Sequence, residues 1–359
     1  MSRRRKSLLA SALAAVLLTS SAALPTASAA PPAANAACSW ENHCYATLRW
    51  SHGDVSGAET ELGTYSLNVP GPGPHFETSE MWVGFDGSPI SWVEAGVIRA
   101  VGAACSGTHW FTAASYPGAG FQLRCLETAT LNTKAMVRLQ EGSGSWSFIL
   151  NGATKSTWSS TPASTSFLEV GHEYTRSDVK SSMTGGKLKW RHTGNGNWYT
   201  GWATPSFPAP DDNPTASPCY TVWVSQPKDM RARCNIPALA GQPESVERGP
   251  EPALSPADEA LRVARTMGEP KNARVVRSDR DPVNALLAAD IRADGELAVY
   301  QFDGDFRAHS VPRPRGAQAP TGTALTVVVD QASGQVRTVH LTPAAAPDIA
   351  ALGTPAGLR

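Results

Sequence analysis

Two glutamates and a set of indoles are the residues of this chain whose types and spacing could do chemistry. Glu94 stands in Trp92-Val93-Glu94-Ala95-Gly96-Val97, and Glu169 in Phe167-Leu168-Glu169-Val170-Gly171-His172-Glu173-Tyr174. Both strings read as strands, in which every second side chain shares a face. Trp92, Glu94, Gly96 and Ile98 then point one way, as do Phe167, Glu169, Gly171 and Glu173. The apolar set Val93, Ala95, Val97, Leu168 and Val170 points the other way and would fill an interior. On this reading Trp92, Glu94, Glu169 and Glu173 line a concave outer face. Two carboxyl groups in one place can divide the work of acid and base. Aromatic platforms beside carboxylates suit an extended polysaccharide or polypeptide. The candidate catalytic pair is therefore Glu94 and Glu169, and the candidate ligand contacts are Trp82, Trp92, Glu173, Trp198 and Trp202. The plain alternative makes both glutamates ordinary solvated strand residues, or partners of nearby Arg99 and Arg176.

The elements that must position these residues are mostly strands. The chain has 359 residues, 17% of them charged, with 31 glycines and 28 prolines, a balance that suits a turn-rich β protein. Strands are expected over residues 81–85, 91–101, 109–115, 120–125, 135–140, 145–150, 165–174, 198–203 and 219–224. Asn151-Gly152 is a hairpin turn signal after the strand ending at Leu150. Turns every 8–12 residues point to an antiparallel β-sandwich of the jelly-roll kind.

All eleven tryptophans lie between Trp40 and Trp223, and all six cysteines precede residue 235. That step, with the Pro/Gly-rich stretch after it, divides the chain into a β-sandwich over 30–235, a linker over 236–254, a small α+β domain over 255–345 and a flexible tail over 346–359. Ser255 caps a helix with Pro256 in its first turn and Gly268 at its end. A shorter helix starts at Asp281-Pro282, a strand covers 296–302, and a hairpin joins 325–329 to 335–341.

Residues 1–29 read as a signal peptide, with Arg3, Arg4, Arg5 and Lys6 before an apolar stretch and Ala27-Ser28-Ala29 as the cleavage site. The expected localisation is secreted and extracellular. Removing those four cations takes 31 basic residues to 27 against 31 acidic ones, which disfavours nucleic acid and anionic membranes as partners. Six cysteines in an exported chain read as disulfides: Cys38, Cys44, Cys105, Cys125, Cys219 and Cys234, with sequential neighbours the simplest of 15 pairings.

The motif Glu80-Met81-Trp82-Val83-Gly84-Phe85-Asp86-Gly87, with the two strings above, resembles the glutamic peptidases (eqolisins) and the broader concanavalin-like lectin and glucanase sandwiches. The resemblance covers residues 80–174. It implies a concanavalin-like sandwich in which Glu94 falls where the family carries a catalytic Gln and Glu169 falls near its catalytic Glu. Glu in place of Gln is a departure, because a carboxylate replaces an amide donor only when protonated.

A glycoside hydrolase also needs two carboxylates, but the E-x-D-x-x-E string of laminarinase-type sandwiches is absent. His172-Glu173 lacks the second His of a zincin helix, and no P-loop, G-x-S-x-G or dinucleotide fingerprint occurs. Gly84–Ser88 and Asp303-Gly304-Asp305 read as turns rather than calcium loops. No cofactor and no metal is expected, and sequence leaves the oligomeric state open. The leading expectation is a secreted sandwich that binds an extended ligand, a glycan first. The alternatives are an eqolisin-like acid endopeptidase with a Glu/Glu pair and a non-catalytic surface protein.

Overall fold

The computed structural model describes residues 43–69, 73–87, 90–176, 179, 181–202, 219–225, 228–234, 254–343 and 345–358. The signal-peptide reading, Cys38 and most of the linker lie outside the described residues. The chain runs β1 (Cys44–Ser51), β2 (Val55–Ser66), β3 (His75–Phe85), β4 (Ser91–Val101), β5 (Gly107–Tyr116), β6 (Gly120–Thr128), β7 (Thr133–Gly142), β8 (Ser145–Leu150), β9 (Ala153–Ser159), β10 (Thr165–Tyr174), β11 (Ser181–His192), β12 (Trp198–Thr200), β13 (Cys219–Ser225) and β14 (Asp229–Cys234). There follow α1 (Pro256–Met267), β15 (Lys271–Ser278), α2 (Arg280–Leu287), β16 (Leu297–Arg307), β17 (Thr321–Asp330), β18 (Val336–Thr342), a 3-10 turn (Ile349–Leu352) and β19 (Ala356–Gly357).

These strands make two antiparallel sheets. One has the order β1-β10-β3-β4-β5-β6-β18-β17-β16-β15-β19, the other β13-β14-β11-β2-β7-β8-β9. Alternation decides which face each side chain takes. Leu48, Val83, Val93, Val97, Leu168 and Val170 of the first sheet meet Leu62, Val137, Leu139, Phe148 and Leu188 of the second in one buried core. The chain is thus a mostly β protein built as a sandwich, with an α+β segment at its C-terminal end.

That segment continues the first sheet without a break, because β18 pairs with β6 through Leu123↔Val339 and Gln122↔His340. Its first helix forms as its sequence dictates. The Ser255 side chain accepts from the Asp258 amide, Pro256 needs no partner for its missing N–H, and Gly268 closes the end. Asn151 and Gly152 both take positive φ, 49° and 84°, as a type I′ hairpin turn between β8 and β9 requires. The stretch expected as a flexible tail is instead structured: Ile349 is buried, and β19 pairs with β15.

Cys105 and Cys125 form a disulfide, one of the sequential pairings. Cys44 and Cys234 each take part in a disulfide as well. The register sets Cys219 opposite Cys234.

Candidate active site

The strands β10, β3 and β4 lie side by side, and their register brings the expected residues together. Glu169 pairs with Trp82, and Trp82 pairs with Glu94. The three side chains therefore form one row across the outer face of the first sheet. Strand spacing of about 4.8 Å puts the two glutamate backbones about 10 Å apart. Glu80 and Glu173 stand on the same face of β3 and β10, opposite Gly171 and Thr78 respectively. A Cβ on Gly96 would collide with Glu80 and the Ser79 carbonyl, so glycine is what lets β4 approach Glu80.

Each carboxyl has its own surroundings. Glu169 Oε1 accepts from the Thr47 hydroxyl at 2.5 Å, and Oε2 accepts from Arg49 Nε and Nη2 at 2.9 and 2.5 Å. That two-pronged ion pair holds the Glu169 carboxyl in place, and the same guanidinium lies 4.1 Å over the Phe167 ring. Glu173 meets His43 Nδ1 and the Tyr45 hydroxyl, the latter at 3.0 Å, through Oε1. Its Oε2 accepts from the Arg313 amide at 2.9 Å. Glu80 Oε1 accepts from Thr78, while its Oε2 has no hydrogen-bond partner among the described residues. Neither oxygen of Glu94 has one. The indole N–H groups of Trp82 and Trp92 face the Glu94 carboxyl without reaching good hydrogen-bond geometry.

Burial dominates the electrostatics. Glu80, Glu94, Glu169 and Glu173 are all 0% exposed. Burial pushes the Glu94 carboxyl well above the usual range, and the nearby Glu173 adds to the shift. Glu80 is pushed up by burial, then by Glu94 and Glu173. Glu173 is raised by burial against the opposing pull of Arg313. The Tyr45 hydroxyl rises too, through burial and Glu173. The face therefore pairs one ion-paired carboxylate with a group of acids that keep their protons.

The expected open trough is covered. The connection between β16 and β17 lies over it, with Val311, Arg313 and Ala317 fully buried, and Trp82 and Trp92 share a buried cluster with Val311, Ala317 and α1. Trp82, Trp92 and Glu173 thus lie on the anticipated face but are not exposed. Trp202 is a correction: it is fully buried in the core between the sheets and donates its indole N–H to the Lys189 carbonyl at 3.0 Å. Trp198 belongs to β12 of the second sheet, away from Glu94, with Arg138 4.8 Å over its ring. The alternative ion pairs are not formed: Arg99 donates to the Leu67 carbonyl, and Arg176 lies beside His75.

Sequence reasoning missed Glu80, Arg49, His43, Tyr45 and Arg313. Glu80 was within reach of the alternation rule, since it stands two residues before Trp82 on one strand. The others come from β1, from the residue before it and from a loop without periodicity. Among the described residues no cluster of three or more His, Cys, Asp or Glu is arranged to hold a metal, and no helix is long and apolar enough to cross a membrane.

No protein-family profile matches the chain, and no curated protein does. Among solved structures the chain is similar to a scytalido-glutamic peptidase with a transition-state analogue inhibitor, at 9% identity and a TM-score of 0.34 over 53% of this chain and 97% of that one. It is similar to SCP-B, an eqolisin-family peptidase in complex with the tripeptide Ala-Ile-His, at 8% identity and a TM-score of 0.33 over 53% and 99%. A glycosyl hydrolase family 16 protein from Mycobacterium smegmatis shares 12% identity at a TM-score of 0.25 over 53% and 71%. Likenesses this remote carry no weight for activity.

Proposed function

We propose that the outer face of the first sheet is the site of an acid-dependent hydrolase acting on an extended extracellular polymer, with a polypeptide as the substrate class. The observation that carries this reading is the row Glu169–Trp82–Glu94, in which a carboxylate held by Arg49 and a carboxyl that keeps its proton flank one indole. Glu169 takes a proton from water, since a carboxylate has about four acceptor positions and three are used. Protonated Glu94 donates to the carbonyl oxygen on which charge develops. Glu80, two residues before Trp82 on β3, is itself raised by burial and then by Glu94 and Glu173, so it stands beside the pair as a further protonated acid. Secretion is part of the proposal, and the Cys105–Cys125 disulfide supports an oxidising compartment.

The test is hydrolysis of denatured protein and of a β-glucan between pH 3 and 8. Both the full chain and a chain with Ala308–Pro320 replaced by Asn-Gly are assayed. The expected result is protein cleavage at acid pH that disappears in Glu169→Gln. Activity unchanged in that variant, or none in either chain, ends the reading.

A second reading, glycan binding, is favoured by the outer face of the second sheet. Trp198 sits there under Arg138, and a hollow of about 490 Å³ is lined by Glu59, Met136, Arg138, Ile149, Asn151 and Gly152. Its test is a polysaccharide pull-down, with retention expected for the unmodified chain and lost in Trp198→Ala.

A further inference from the structure

The connection between β16 and β17 is far longer than its geometry needs. Arg307 pairs with Thr321, so a two-residue turn would close this hairpin. The chain instead spends the whole of Ala308–Pro320 there. Connections this long without secondary structure of their own are uncommon in compact folds and are usually functional. The base of the loop is pinned by the Ala308 amide donating to the Pro320 carbonyl at 2.8 Å.

What the loop does with its length is enter the carboxylate face. Val311-Pro312-Arg313-Pro314 is buried throughout. Both prolines fix their own φ and bias Val311 and Arg313 toward extended backbone, so the run is set before it docks. Its main chain is then held as a bound peptide would be. The His309 carbonyl lies 2.5 Å from His43 Nε2, the Arg313 amide donates to Glu173 Oε2 at 2.9 Å, and the Arg315 carbonyl accepts from Arg49 Nη2 at 2.5 Å. His43 binds Glu173 through its other ring nitrogen, and Arg49 binds Glu169 through Nε and the same Nη2. The Arg313 side chain is fully buried, and its charge acts on both Glu173 and Glu94.

We propose that Ala308–Ala319 is a built-in occupant of the carboxylate face: it lies where an extended polypeptide would bind, holds its main chain on Glu173, His43 and Arg49 with the Arg313 side chain buried, and keeps the site closed until displaced. The inference rests on the reading of this face as a working site. It adds a specificity, for a basic side chain flanked by extended backbone, and a latch. A tethered occupant of this kind competes at an effective concentration on the order of millimolar, so an outside peptide wins only when the loop is weakened or removed.

The test uses a labelled peptide copying residues 309–316 and its counterpart with alanine at the Arg313 position, titrated by fluorescence polarisation. The proteins are the unmodified chain, the chain with Ala308–Pro320 replaced by Asn-Gly, and full-length Arg313→Ala. The copied peptide is expected to bind the loop-replaced chain saturably and at least ten-fold more tightly than it binds the unmodified chain. The alanine peptide is expected to bind at least ten-fold more weakly. Should the loop-replaced chain fail to fold, Arg313→Ala carries the test, and it is expected to bind the copied peptide at least ten-fold more tightly than the unmodified chain. Absence of saturable binding to a folded opened chain, or equal binding of the two peptides, overturns the proposal. A peptide that binds but stays uncut from pH 3 to 8 keeps the occupant and removes the hydrolase. Protein cleavage at equal rates with and without the loop does the reverse.

Discussion

Glu94 and Glu169 sit in the same row of the first sheet, with Trp82 alone between them on the intervening strand. Their roles differ because their neighbours differ. Glu169 meets a guanidinium and a hydroxyl, whereas Glu94 meets two indoles and other acids. The division of labour is thus written by β1, which supplies Thr47 and Arg49 opposite Gly171 and Glu169.

The Arg49–Glu169 pair gives the first prediction. Removing one partner of a buried ion pair leaves an uncompensated charge, which costs about 3–5 kcal/mol, less where the partner is partly wet. Arg49 keeps 18% of its side chain exposed and Glu169 none. Arg49→Met is therefore expected to destabilise by about 3 kcal/mol in urea unfolding. Adding Glu169→Gln should recover a large part of that loss. A double variant no more stable than Arg49→Met alone would show that the charge is not what the guanidinium compensates.

Glu94→Gln gives the second. The substitution keeps the volume and removes a buried group that resists ionisation and has no hydrogen-bond partner among the described residues. A stabilisation of about 1–3 kcal/mol is expected at pH 8, the usual penalty of a buried polar group without partners. Little change is expected near pH 4.5, where Glu94 is neutral already. An amide also donates without titrating, so any acid hydrolysis should persist to higher pH in this variant. Equal stability of the two proteins at pH 8 would remove the assigned cause.

The disulfide gives the third. Cys105 and Cys125 are 20 residues apart in sequence, and a closed loop of that size contributes about 3 kcal/mol in the chain-entropy account. The bridge ties the β4–β5 corner, where Arg262 of α1 donates to the Ala103 carbonyl at 3.0 Å. The paired serine variant should lose about that much stability and expose Arg262 to faster amide exchange in α1. Unchanged exchange in α1 would show that the corner holds its shape without the bridge.

Much of the scaffold was legible because local signals agreed with the final packing. The spans 91–101, 145–150 and 165–174 form strands with those bounds, and Ser255 caps α1 as its sequence indicates. β2 was not legible. Its Glu59 and Glu61 are polar outward residues held by Arg138, Lys189, Lys134 and Lys187 from neighbouring strands, which no local pattern reveals. The covering of the site was illegible for a related reason. Pro312-Arg313-Pro314-Arg315-Gly316 has the composition of a linker, and the contacts of His309 with His43 and of Arg315 with Arg49 each span 266 residues of sequence. Alternation could say that Glu94 and Glu169 share a face, but not that another part of the chain lies on it.

The pH dependence of stability is the last prediction, and its sign follows from two opposed sets of buried groups. Burial raises Glu77 to about 8 and also raises Glu80, Glu94 and Glu173. Such groups favour folding while protonated, so their contribution is complete below about 4.5 and is lost as pH rises through the folded values. Burial lowers His172 to about 4, and lowers His109 and His340 as well. These favour folding above about 6.5, and that contribution is lost as pH falls toward the folded values. Stability should therefore peak in mildly acid solution, between about pH 4.5 and 6.5, and fall steeply toward pH 8. Urea midpoints measured from pH 4 to 9 check this, and Glu77→Gln should make the alkaline fall shallower. A plateau from pH 5 to 8 would mean that the buried carboxyls ionise freely, and the protonated role assigned to Glu94 would go with it.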